Sequence, residues 1–469
     1  MFSGLVFSTG ILLSVPAVSQ TVQPEYREKW EEVETHIRNS WLNYVDASPR
    51  SLPKPYSYAL NPGTLYYWDL YFINEGLTAQ GFMEQARNNI DNFIYEIEHL
   101  GFVPNANGWG EDRSQTPYFA MMVRSYYEKC LRKDTAWLRR AYRAALSEYA
   151  FWTNENGNLI EDHRTPEGLQ HYSHHADTAA LLKFYEQTRG RWPPHRADTR
   201  EEKIRIAAHR LAEAETMDFT PRFEGRCMDF IAVDLNANLY QYEINLDYFE
   251  KELGIGGEID WKRRAEQRVE RMNRYCWDGE KGFFYDYDYK NHRRSSVAAL
   301  SALMPLYWGF ATGEQAERVR QQLSLFDAPG GLVVCEPIDG SHVYQWGDRA
   351  VWPPVQFIAM TALLRYRYLP EARQVALKYL NTATRNFVKP EPATYPPFKY
   401  GDGVRRPGFL YEKFTRSGDI LDAEYPCSEM MGWAAATYLK ALEVMRLSEE
   451  EAFRETDVSQ PRLPGAASR

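Results

Sequence analysis

Cysteine is scarce in this chain of 469 residues: Cys130, Cys227, Cys276, Cys335 and Cys427 stand far apart and form no CxxC pair. An odd number at wide spacing argues against a disulfide framework, and no zinc-type ligand set is indicated. Neither sign of charge dominates. The net charge is −9, with acidic and basic residues interspersed, so no basic stripe tracks a phosphate backbone and nucleic acid is excluded as a partner. Long apolar runs are missing too. Leu5 to Val15 is too short to cross a bilayer, and nothing later does so. That run has instead the length of the apolar part of a secretory leader. Ala17-Val18-Ser19 supplies a small-x-small cleavage site, although no Lys or Arg precedes it. Residues 1–20 are therefore read as a signal peptide and the mature chain as periplasmic or secreted. Strand signals are few, and no fixed-period repeat of a solenoid is visible.

What is present is apolar, aromatic and helical. Hydrophobic residues make up 44% of the chain and aromatic residues 14%, ample for one large core. Ala372, Val375, Ala376, Tyr379, Leu380, Ala383 and Phe387 fall on one face of a four-turn helix with Pro370 near its start. Leu138 to Trp152 repeats the pattern behind Asp134 or Thr135 as N-cap. Similar faces lie near 25–44, 83–98, 117–131, 176–189, 199–213, 234–254, 260–275, 295–311, 353–367 and 427–446, while Phe283 to Tyr289 reads as a short strand. About a dozen helices and few strands predict an all-α toroid of paired helices with long site-forming loops, a single domain over 21–446. The polar segment 447–469 is expected to be a disordered tail.

Three patches join carboxylates to aromatic rings: Tyr66-Tyr67-Trp68-Asp69, Met217-Asp218-Phe219 and Tyr411-Glu412-Lys413-Phe414. A sugar presents apolar C–H faces and a rim of hydroxyls, so its site needs aromatic walls beside acceptor carboxylates. Cleaving a glycosidic bond needs one protonated and one ionised carboxyl. Asp218 is the candidate acid, because burial against Met217 and Phe219 would raise its pKa. Glu412 is the candidate base, with Lys413 favouring its ionised form. The bland readings are a turn or cap for Asp218, a solvated Glu-Lys face for Glu412, and plain core for Tyr66 to Trp68. Asp69 fits that last reading poorly, since an acid after a buried aromatic run needs a partner, which Arg113 or Gln115 can supply. Gln345-Trp346 and Trp352 form another aromatic patch. Several of these segments share one position. Arg113-Ser114-Gln115, Trp352 and Glu424-Tyr425 each stand before a proline that opens a helix, and Asp69 opens one directly, so their loops can converge on one end of the toroid. His163, His171, His174 and His175 crowd a short stretch. His171 and His175 could share a helix face, but no HExxH pattern completes a metal site, and a polar surface or site-rim loop is the favoured reading. No cofactor and no metal are expected.

These segments resemble the trehalase family of glycoside hydrolases, from about Leu52 to Arg446. Leu52-Pro53-Lys54-Pro55-Tyr56, Pro62-Gly63 and Tyr66-Tyr67-Trp68-Asp69 resemble its first signature, and Gln345-Trp346 with Trp352-Pro353-Pro354 the other. Val103-Pro104-Asn105 with Arg113-Ser114-Gln115, Asp218-Phe219 with Val233-Asp234-Leu235-Asn236, and Glu412-Lys413-Phe414 with Glu424-Tyr425-Pro426 are similar to further blocks, in the same order. The resemblance implies an (α/α)6 toroid and an inverting hydrolase with Asp218 as acid and Glu412 as base. It places sugar binding on Tyr67, Trp68, Asp69, Asn105, Arg113, Gln115, Trp352 and Glu424, beside Trp346 of the aromatic patch. A small carbohydrate is the expected partner and a monomer the expected state.

The departures fall on the leaving-group side. An Arg and a Glu that the family carries before its tyrosines are missing at Gly63-Thr64-Leu65-Tyr66. An Arg-Pro-Glu-Ser segment is replaced by the histidine stretch, whose side chains are expected to supply the lost donors. Release of glucose from trehalose or a related small α-glucoside is the leading expectation. A hydrolase of α-glucosyl- or α-mannosylglycerate, and a sugar-binding protein without catalysis, are the alternatives.

Overall fold

The computed structural model describes residues 24–47, 51–60, 62–154, 162–189, 197–340, 342–394, 405–423 and 425–451. The expected signal peptide, residues 452–469 of the expected tail, and Glu424 lie outside the described residues. In chain order the helices are α1 (Trp30–Ser40), α2 (Tyr67–Ala79), α3 (Met83–Leu100), α4 (Phe119–Lys129), α5 (Thr135–Thr153), α6 (Thr178–Thr188), α7 (Arg200–Glu213), α8 (Val233–Leu253), α9 (Trp261–Tyr275), α10 (Met304–Tyr307), α11 (Gly313–Gln322), α12 (Pro353–Arg365), α13 (Leu369–Val388) and α14 (Gly432–Arg446).

The inner ring runs α2, α4, α8, α10, α12, α14, each helix packed on the next, and α14 packs back on α2 to close it. The closing pair approaches closely at Gly76, where a Cβ would come 2.7 Å from the Trp41 ring and 3.2 Å from the Ala436 Cβ. Helices α1, α3, α5, α9 and α13 lie outside the ring, giving the toroid of paired helices expected from the periodicity and the (α/α)6 form that the resemblance implied. Inner helices are buried nearly all round, as α2 is from Tyr67 to Asn74. Outer helices such as α9 bury one stripe (Trp261, Ala265, Arg268, Met272) and leave charges in water. Helices α6 and α7 are an excursion between α5 and α8. They pack on each other around Leu181, Tyr185, Ala207 and Leu211, an apolar cluster of their own.

Local chemistry explains most boundaries. Asp134 caps α5 by accepting from the Trp137 N–H, and prolines occupy the first turns of α12 and α13. Three boundaries differ from the periodicity. The helix expected over 295–311 shrinks to a 3-10 turn, Leu300–Leu303, and the single turn of α10. Its approach is spent on strand-like pairing instead, with the Leu300 N–H on the Val334 carbonyl. The helix expected from 427 begins at Gly432, because residues 428–430 pair with 410–412 through Glu412 N–H to Ser428 O and Met430 N–H to Leu410 O. Phe283 to Tyr289 splits into two short strands, Phe283–Phe284 and Tyr287–Asp288, in different sheets. Beyond α14, Leu447 packs against Leu369. All five cysteines are free thiols.

Candidate active site

The N-terminal ends of the inner helices share one mouth of the toroid, and a cleft of about 840 Å³ opens there. Its floor is four tryptophans. Trp346 stacks flat on Trp352 with ring centroids 3.8 Å apart, Trp68 lies 5.3 Å from Trp346, and Trp433 meets Trp68 and Trp352 edge-on at 5.7 Å. Three of these side chains start inner helices, so the close packing of the ring itself assembles the floor. A short antiparallel pairing of Val351 with Phe414 brings Trp352 beside Glu412 and Lys413.

Four carboxyls face this cleft, Asp69, Asp218, Glu412 and Asp112, the last of them paired with Arg113. Asp218 is half-buried, on a loop between α7 and α8. Its Oδ1 accepts from Trp346 Nε1 at 3.0 Å. The next residue, Phe219, has φ of 56°, a left-handed conformation that costs a bulky residue energy, and the Trp346 N–H to Phe219 carbonyl bond helps hold it. A buried network fixes the loop from beneath. Arg222, without exposed surface, bridges Asp234 and Asp286, Thr216 Oγ1 donates to Asp234, and Glu213 accepts from the Thr220 N–H at 2.6 Å. Glu215 accepts from the Ser114 and Ser173 N–H groups, tying this loop to two neighbours.

Glu412 is 1% exposed. Its Oε1 accepts from the Tyr425 hydroxyl at 2.8 Å, while Oε2 has no hydrogen-bond partner among the described residues and lies 3.5 Å from Lys413 Nζ. That ammonium sits over the faces of Tyr425 (3.2 Å to the centroid) and Trp352 (5.3 Å), held by ring quadrupoles rather than by an acceptor. Burial, joined by the charges of Glu412 and Asp218, pushes the Asp69 carboxyl well above its ordinary range. Burial, with the charges of Asp69, Glu412 and Asp218, pushes the Tyr66 phenol up to about 12. Asp69 therefore holds its proton more tightly than an ordinary carboxyl does, next to Glu412.

Trp68, Asp69, Asn105, Arg113, Gln115, Asp218, Trp346, Trp352 and Glu412 all line this one cleft. Gln115 Oε1 accepts from the Trp68 N–H, and Asn105 Nδ2 donates to the Ala214 carbonyl, so two of them also brace the site. Arg113 pairs with Asp112 and leaves a buried Nε without an acceptor. Tyr67, expected to bind sugar, does not reach the cleft. Its side chain points into the ring, where its hydroxyl accepts from the Tyr118 and Phe119 N–H groups at the start of α4. Tyr66, one residue earlier, takes the place at the wall. Glu424 lies outside the described residues.

The histidines are not where the sequence suggested. Residues 171–177 form no helix, so His171 and His175 share no face. His163, His171 and His174 are buried, not surface groups, and none of the four lines the cleft. His163 packs on Trp152 and Phe151, and His175 packs on Phe102 and bonds the Glu111 carbonyl. Burial holds His171 and His174 at about 4, hence neutral. His163 and His175 pin the loop to α5 through Phe151 and Trp152. Among the described residues no group of three His, Cys, Asp or Glu has the arrangement of a metal site, and no helix is long and apolar enough to cross a membrane.

Sequence reasoning missed Trp109, Asp112, Tyr425, Trp433 and the α6 side chains Ala180, Lys183, Phe184, Gln187 and Thr188, all of which line the cleft. Tyr425 and Trp433 both stood in the last of the family blocks, as Glu424-Tyr425-Pro426 and Gly432-Trp433, without being singled out as site residues. Nothing in the sequence brought α6 to the site.

A closed toroid of paired helices with an aromatic-floored cleft at its N-terminal mouth defines the class of (α/α)6 toroid proteins. A family model described as Trehalase matches residues 17–446, and the chain belongs to the trehalase family. It is 30% identical to the cytosolic neutral trehalase of Kluyveromyces lactis over 435 residues, 81% of this chain and 55% of that protein. It is 30% identical to the cytosolic neutral trehalase of Saccharomyces cerevisiae over 440 residues, 83% and 57% respectively. The chain therefore spans little more than half the length of these relatives. The solved neutral trehalase Nth1 from S. cerevisiae superposes with a TM-score of 0.65 at 27% identity, covering 85% of this chain and 77% of that one. A mannosylglycerate hydrolase from Thermus thermophilus, solved with glucose, shares the fold at TM-score 0.58 and 15% identity, covering 88% and 100%.

Proposed function

We propose that the protein hydrolyses trehalose, or a closely related small α-glucoside, with inversion at the anomeric carbon. The observation that carries this reading is the single cleft in which Asp218 and Glu412 stand over a tryptophan floor. The glucose ring to be released lies on that floor, its hydroxyls bonded by Asp69, Arg113 and Gln115. Asp218, oriented by Trp346, donates a proton to the glycosidic oxygen. Glu412 removes a proton from a water that attacks the opposite face, through the Oε2 that no protein donor occupies. The Tyr425 hydroxyl and the caged Lys413 hold Glu412 in position. Direct attack by water on an α-linkage yields the β-anomer. Proton NMR in the first minutes of a trehalose reaction tests this: one β- and one α-glucose should appear per trehalose, and two α-glucoses would refute it. Family membership and the relatives named neutral trehalase support the choice of substrate. Export is proposed on Leu5–Val15 and Ala17-Val18-Ser19, and N-terminal sequencing of protein recovered outside the cytoplasm tests it.

A further inference from the structure

We propose that the cleft-facing side of α6 is the leaving-group subsite, with Phe184 as the platform for a second sugar ring and Lys183 and Gln187 as donors to its hydroxyls; this rests on the trehalose reading. The tryptophan floor, Asp69 and Glu412 occupy the deep end of the cleft, built from the inner ring. The leaving group must lie on the side of the proton donor, and Asp218 stands on the loop that follows α7. Helices α6 and α7 are one packed unit, so the wall that carries Asp218 continues into α6. Along α6 the residues that line the cleft are spaced i, i+3, i+4, i+7 and i+8 from Ala180, one face of the helix. Leu181 and Tyr185 are buried in the α6–α7 cluster, while Ala180 and Phe184 pack against its edge and also line the cleft, which fixes the face that looks inward.

The chemistry of that face suits a neutral polyhydroxylated ring. Phe184 is half-buried, apolar and flanked by two long side chains that end in donors. Among the described residues Lys183 makes no ion pair, unlike Arg113 across the cleft, which is held by Asp112. Lys183 can therefore turn its ammonium to an acceptor on the ligand. None of the four histidines that replace the family's Arg-Pro-Glu-Ser segment lines the cleft, so they leave this role open.

The test compares two substrates in the full-length enzyme. α-Glucosyl fluoride has a glycone but no leaving ring; trehalose has both. Phe184→Ala and the double variant Lys183→Ala/Gln187→Ala should each lower kcat/KM on trehalose about 10–100-fold more than on the fluoride, chiefly through KM. Phe184→Tyr, which keeps the platform, should retain most trehalose activity. Equal losses on both substrates would mean that α6 merely supports the Asp218 loop, and would overturn the proposal, as would an unchanged trehalose KM. If the wild type cleaves the fluoride but not trehalose, the trehalose reading falls. The same ratio on the fastest-cleaved α-linked glucose disaccharide then decides the subsite. If no disaccharide is cleaved, both fall.

Discussion

Replacing Asp218 by asparagine and Glu412 by glutamine separates the two proposed proton transfers, because the structure lets each amide keep the contact that orients its parent. In Asp218→Asn the amide oxygen can still accept from Trp346 Nε1, and in Glu412→Gln it can still accept from the Tyr425 hydroxyl. What each variant loses is the ability to exchange a proton. General acid–base catalysis contributes about 10²–10⁴-fold per group, or roughly 3–5 kcal/mol of barrier. On trehalose, whose leaving group is a poor alkoxide unless protonated, both variants should fall by that amount in kcat. α-Glucosyl fluoride alters the balance, since fluoride departs without needing a proton. Asp218→Asn should then lose less than about tenfold on the fluoride, while Glu412→Gln, still lacking a base for the attacking water, should lose its full about 10²–10⁴-fold. Fluoride release followed by electrode, beside glucose release from trehalose, reads both. Equal losses for Asp218→Asn on the two substrates would refute its role as proton donor to the leaving group. A Glu412→Gln enzyme retaining more than about a tenth of wild-type kcat on either substrate would refute the base.

Three further outcomes follow from the geometry. Tyr67→Phe leaves two N–H groups at the start of α4 without their acceptor, so it should cost about 1–3 kcal/mol of stability by urea unfolding while leaving the trehalose KM within about twofold of wild type. His174 has a folded-state pKa of about 4, depressed by burial from an ordinary 6.5, so the unfolded state binds more protons between those values. The stability of the neutral ring is present above 6.5 and is lost as pH falls through that window. His174→Asn, which keeps an acceptor for the Ala176 N–H, should therefore gain about 2 kcal/mol relative to wild type between about pH 7 and pH 5, and parallel stability–pH curves would contradict this. Arg222→Met strips the shared partner from two buried carboxylates and should destabilise by about 3–5 kcal/mol, with loss of kcat as the Asp218 loop loosens; an unchanged urea midpoint would show that the network does not hold the loop.

Much of this protein was legible in its sequence. Local periodicity gave α5 and α13, and caps placed their starts at Asp134 and Pro370, because helix formation and capping are decided within a few residues. The aromatic–carboxylate patches at 66–69, 217–219 and 411–414 pointed to sugar chemistry because a site for that ligand demands those side-chain types together. The prolines before α4 and at the start of α12 marked loops feeding helix N-termini, and these do converge on one mouth. The rest depended on packing between distant segments. Periodicity could not tell Tyr66 from Tyr67, since Tyr66 is the extended residue before α2 and Tyr67 the first residue of the helix, and this change of backbone sends one ring to the cleft and the next into the ring of helices. Nor could it show that the histidine stretch turns inward against Trp152 and Phe151, because an imidazole is neutral enough to be buried and polar enough to suggest exposure. The pairing of 410–412 with 428–430 outcompeted a helix start, a non-local bond with no local signature. Sequence determined which chemical groups the chain owns and most of its helices. Tertiary structure alone decided that α6 stands beside Asp218, because the position of an excursion is set by what its apolar face finds to bury against.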